Sequence, residues 1–263
     1  MASTLLVKDV LWRVAGLLQD TVPQFIRWPE VELVNWLNDA QVAITKYLPA
    51  ASSRVDVIRL VPGTRQSIES IPAANCKPGD GSTPAQPIYG NQFMKAIRNM
   101  GADGLTPGKV VRIVDMDTMD SQSPGWHQTV GTAVGVVVHD PRFPRYFYVF
   151  PGVHATTQVW LEVGYTAQPL KIPAGGLEGA EIYKVDGAST ETIKIADEYV
   201  DDLVDYVVAR AYSKDSEYAD ANKAVAFTNR FLTSLNAKVA AITGNNPNLK
   251  RLPLATEPLA AAS

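Results

Sequence analysis

Residues Arg27–Pro49 read "RWPEVELVNWLNDAQVAITKYLP". Pro29 costs nothing in the first turn of a helix, where its missing N–H has no partner to lose. Glu30 and Glu32 suit the positive end of the helix dipole. Leu33, Leu37, Ala40, Ile44 and Leu48 recur at three- and four-residue steps, the spacing of an amphipathic helix about five turns long. Trp36 adjoins the apolar stripe, and Trp28 sits just ahead of the helix, placed to cover its end. A single apolar face must be buried against other elements, so the rest of the chain has to supply the wall.

Upstream, the spacing predicts a helix over about Thr4–Gln19, capped by Ser3 or Thr4, with Leu6, Val10, Leu11, Val14, Leu17 and Leu18 on its apolar face. The connector "QDTVPQFIRW" is short enough to make the two helices an antiparallel pair. Far downstream a second pair follows. One helix begins near Asp197, with Val200, Leu203, Val204, Val207, Val208 and Ala211 on one face and Asp201, Asp202 and Asp205 largely on the other. The next covers about 217–242, with Ala221, Ala224, Val225, Phe231, Leu232, Leu235, Val239 and Ile242 inward, and ends in "GNNPN" (Gly244–Asn248).

The intervening stretch changes period. "SRVDVIRLVPGTRQSIESIP" (Ser53–Pro72) alternates Val55, Val57 and Leu60 with polar neighbours and turns at Pro62–Thr64, the pattern of a β-hairpin. Residues 72–90 are rich in Pro, Gly, Ser and Ala and read as a loop. Strands follow in "QFMKAIRNMG", "GKVVRIVD", "TAVGVVVHD", "RYFYVFP" and "QVWLEVGYTA", with a helical turn in "DTMDSQSPGWH" and a hairpin loop in "HDPRFPRY". Residues 170–189 are irregular. The expectation is an α+β fold: a four-helix bundle formed by the N- and C-terminal helical pairs, with an inserted antiparallel β-domain. The units are then 1–50 with 190–243, the insertion 51–189, and an extended C-terminal tail, 244–263.

Composition narrows the function. Among 263 residues, 46% are hydrophobic, 19% are charged and the net charge is −3. That supports packed cores and disfavours a nonspecific nucleic-acid binder, which carries a basic excess. The single cysteine, Cys76, rules out an internal disulfide and a cysteine-based zinc cluster. No apolar run approaches a transmembrane helix. Lys8, Asp9 and Arg13 interrupt the N-terminal apolar stretch, so it does not read as a signal peptide.

Catalytic patterns are missing. His139 and Asp140 are adjacent strand-end residues that point apart, so they do not converge on a metal; His127 and His154 stand alone. "GADGLTPGK" has the wrong spacing for a phosphate loop, with Val110 in the hydroxyl position. There is no G-x-S-x-G. Asp115, Asp117 and Asp120 cluster without the Gly and distal Glu of a calcium loop and read as a solvated turn with a local cap. No catalytic, metal or cofactor site is expected.

The helical ends carry a resemblance. Arg27, Trp28, Glu32, Leu33, Trp36, Leu37, Asn38, Ala40 and Gln41 match R-W-x-x-x-E-L-x-x-W-L-N-x-A-Q, which resembles the N-terminal signature of bacteriophage head–tail adaptor (connector) proteins. "IRNMGADGLTPGKVVRIVD" and "SPGWH" resemble the middle of that family. Asp202, Leu203, Val204, Tyr206, Arg210, Ala211, Lys214, Asp215 and Ala221 are similar to its C-terminal helices.

The resemblance implies a structural virion protein without enzymatic activity, made in the host cytoplasm and placed in the neck. Such adaptors form a dodecameric ring under the portal protein, meet a tail or nozzle protein, and surround passing double-stranded DNA without specific binding or membrane contact. It implies portal binding by the tail through Leu249, Lys250, Arg251, Leu252, Leu254 and Leu259. Subunit-interface candidates are Asp201, Asp202 and Asp205, paired with a basic surface such as Arg54, Arg59 or Arg65, and the aromatics Phe143, Tyr146 and Tyr148. A mildly acidic chain suits a conduit, since basic walls would hold DNA by counterion release. Two other functions remain open. One is a neck-associated cell-wall hydrolase using two of Asp115, Asp117 and Asp120. The other is a β-domain that binds protein or carbohydrate through the loop 72–90.

Overall fold

A computed structural model describes residues 3–79, 84–174 and 181–244. In chain order the elements are α1 (Val7–Leu18), α2 (Glu30–Tyr47), β1 (Ser53–Arg59), β2 (Gly63–Ser67), β3 (Cys76–Pro78), β4 (Gly90–Met100), β5 (Pro107–Val110) and β6 (Arg112–Val114). They continue with α3 (Met116–Gln122), β7 (Val130–Gly131), β8 (Val136–Val138), β9 (Tyr146–Val153), β10 (Trp160–Ala167), α4 (Val200–Ser213) and α5 (Ala221–Gly244). The fold is α+β.

The helices converge on α4. α1, α2 and α5 each pack against it, and only Asp201, Arg210 and Ser213 of α4 are exposed. The helical core joins Val10, Leu11 and Val14 of α1, Leu33, Leu37 and Ile44 of α2, and Leu203, Val207 and Val208 of α4. It also takes in Ile172, Tyr183, Ile193 and Ile195 from the irregular segment that returns from the β region. That segment, rather than α5, completes much of the wall facing α2. Among the α5 residues whose burial is described, only Ala224, Phe231 and Leu235 are buried; Val225, Val239 and Ile242, expected inward, are exposed. α5 also begins at Ala221 rather than near residue 217.

The start of α1 differs from expectation in an instructive way. Its N-cap is Leu6, with no side-chain cap. The Val7 N–H is satisfied instead by the Glu191 carbonyl at 2.9 Å, a long-range substitute for a cap. Ser3 and Thr4 donate their hydroxyls to Asp197, and these bonds hold the Asp197 carboxyl below its usual range.

The β region forms two sheets with one shared core. One has the order β3-β1-β10-β4-β5; the other has β2-β9-β8-β6, with β7 also on β9. Ile58, Phe93, Leu161, Val163 and Tyr165 of the first meet Val137, Phe147 and Val149 of the second, and Phe93 stacks on Phe147 at 4.5 Å between ring centroids.

Two expectations fail here. β1 and β2 are not a hairpin: β1 pairs with β10 and β3, whereas β2 pairs with β9. The turn at Pro62–Gly63 carries the chain from one sheet to the other. Gln66 stabilises that corner, accepting from the Val61 N–H at 2.8 Å and donating to the Val61 carbonyl at 2.8 Å. Nor is the region wholly antiparallel, because β6 pairs parallel with β8 and β7 parallel with β9. Parallel pairing needs a crossover, which α3 and the turn at Trp126 provide between β6 and β8. The hairpin between β8 and β9 forms as expected.

Candidate assembly surfaces

The stretch around α2 is spent on holding the fold together. The Arg27 guanidinium lies over the Tyr218 ring at 4.9 Å. Trp28 is buried, donates its indole N–H to the Ala211 carbonyl at 3.3 Å and meets Tyr212 edge-on. Buried Asp20 accepts the N–H groups of Arg27 and Trp28 at 2.9 and 3.2 Å and fixes the connector. Glu32 pairs with Lys214 of the α4 C-terminus at 2.7 Å. Trp36 is half-buried against the helical core.

The polar residues of α2 act as pegs. Glu30 accepts the Ile182 and Tyr183 N–H groups at 3.2 and 2.9 Å, and burial pushes its carboxyl up. Asn38 donates to the Ile172 carbonyl at 2.9 Å and accepts from the Ile172 N–H at 2.8 Å. Gln41 accepts from the Lys194 N–H at 2.6 Å. All three are buried. Residues that cross from the β region back to the helices have no ladder of their own, so these side chains satisfy their backbone groups. The available signal was a polar residue inside the apolar arc: Asn38 and Gln41 adjoin Leu37 and Ala40. Asn38→Leu leaves both Ile172 groups buried and unmade, at an expected cost of about 2–3 kcal/mol. Urea unfolding checks it, and a loss under about 0.5 kcal/mol, the level of an ordinary surface change, would show that the segment is held elsewhere.

The predicted acidic face divides. Asp201 is outward, with its side chain 82% exposed and 3.9 Å from Arg13. Asp202 and Asp205 are 1% and 4% exposed, which corrects their placement on the polar face. Lys238 of α5 pairs with Asp202, and Arg230 of α5 pairs with Asp205 at 3.0 Å. Burial raises the Asp205 carboxyl, partly offset by Arg230. These two aspartates therefore join α5 to α4 within the chain.

The aromatics divide similarly. Phe143 is exposed. Tyr146 is half-buried, donates to Glu69 at 2.9 Å and lies under Arg65. Tyr148, also half-buried, packs edge-on against Trp126, which with Met119 and Val138 makes a small third core. The outer side of β9 is thus partly covered by its own chain. Arg54 is engaged by Asp56 at 2.9 Å, while Arg59 and Arg65 are exposed. Leu249, Lys250, Arg251, Leu252, Leu254 and Leu259 lie outside the described residues.

Groups with catalytic potential are occupied or apart. A cleft of about 430 Å³ opens where β1 meets the return segment, with Ser52, Arg54, Asp56, Gln168 and Lys194 on its walls. Asp56 is its one carboxylate among the described residues, and it accepts from the Tyr165 hydroxyl at 2.6 Å as well as from Arg54. Asp115 caps α3, and Asp120 accepts the Trp126 indole N–H at 2.9 Å. Asp140 is bound by Arg142, and His139 by the Tyr146 carbonyl. Cys76 lies buried in β3, not in an open loop, and burial pushes its thiol up to about 12. Among the described residues no three His, Cys, Asp or Glu side chains form a group able to hold a metal, and no helix is long and apolar enough to cross a membrane.

The described residues offer a helical hub, a two-sheet region, and outward faces on α1, α5 and the sheet edges. That build suits a structural protein, one that works through contacts with other proteins. The sequence model described as SU10 adaptor protein matches residues 6–251, and the chain belongs to that family. No curated protein matches the chain.

Proposed function

We propose that the chain is a head–tail adaptor whose copies close a ring between the portal and the tail and leave a passage for DNA. The observation that carries this reading is the family match across almost the whole chain, from residue 6 to residue 251. In this reading residues 1–50 and 190–243 form the helical unit, closing as a four-helix bundle within the ring and meeting the portal. Residues 51–189 form the β insertion, which meets the tail or nozzle protein. The segment after Gly244 runs along the portal, with its leucines as apolar anchors and Lys250 and Arg251 toward acidic groups. Twelve copies surround double-stranded DNA without gripping it: the chain carries 24 basic and 27 acidic side chains, so the wall offers no excess of cations to exchange for counterions. The role is structural and needs no cofactor.

The test is a cryo-EM reconstruction of the neck in particles that contain the chain, with mass spectrometry of the same particles. The expected result is a ring of this chain directly below the portal. Particles that are complete and infectious without the chain would overturn the reading.

A further inference from the structure

We draw no further inference here: the strongest candidate, the apolar patch of Val22 and Ile26 that the α1–α2 connector holds outward over the clamp of Asp20, carries none because nothing in the structure shows what covers it.

Discussion

Trp28→Ala is expected to destabilise the protein by about 3–5 kcal/mol, the range for truncating a fully buried large aromatic. Trp28 is 2% exposed and touches the end of α4, at the Ala211 carbonyl and the Tyr212 edge, and the Tyr218 ring beyond it at 5.6 Å. Its removal opens a cavity between the connector and the end of α4, where the rigid helices give little room for collapse. For a chain of this size the melting temperature should fall by roughly 10 °C. Trp28→Phe keeps part of the ring contact and loses the indole hydrogen bond, so it should lie between the two. A loss under about 1 kcal/mol for the alanine variant, less than one well-packed methylene pair would cost, would mean that Trp28 is not the keystone its burial indicates.

Lys238→Met is expected to cost about 3 kcal/mol, the low end for removing one partner of a buried ion pair, because Lys238 itself is partly solvated. Its ammonium pairs with Asp202, donates to the Glu198 carbonyl at 3.0 Å and lies over the Tyr199 ring at 4.8 Å. Methionine keeps much of the stem and removes the charge, so Asp202 is left as a buried anion without its cation. The double variant Asp202→Asn with Lys238→Met removes both charges and should recover a large part of the loss. A double-mutant cycle with no coupling would show that Lys238 acts through packing alone. Hydrogen exchange should localise the damage: α5 has few buried side chains of its own, so its amides should lose protection before those of α1 and α2.

Much of the fold was legible in residues close together in sequence. Periodicity located α1, α2, α4 and most strands, since three- and four-residue steps and strict alternation are local signals. The cap of α3 by Asp115 was equally local. The pegs Asn38 and Gln41 stood out as matching positions of a signature, but their work was hidden, because Ile172 and Lys194 lie far along the chain. The failures share that cause. A polar residue at a helical position is assigned to solvent because burying a charge is costly. Asp202 and Asp205 escape that cost only because Lys238 and Arg230 arrive from another helix. The outward row of α5 could not be told from an inward one by spacing, since both rows are apolar.

The amino-acid order by itself determined most of the helix and strand segments, that the chain is α+β, and that it resembles head–tail adaptors. Those depend on side-chain period, turn chemistry and short patterns, which need no partner. The tertiary structure alone decided that α4 is the hub, that β1 and β2 part into different sheets, and that two aspartates are buried. It also decided that Val225, Val239 and Ile242 of α5 are not covered by the other described residues. Each of these depends on which distant group satisfies a backbone amide, a charge or an apolar surface, and such choices are made only when the whole chain has packed.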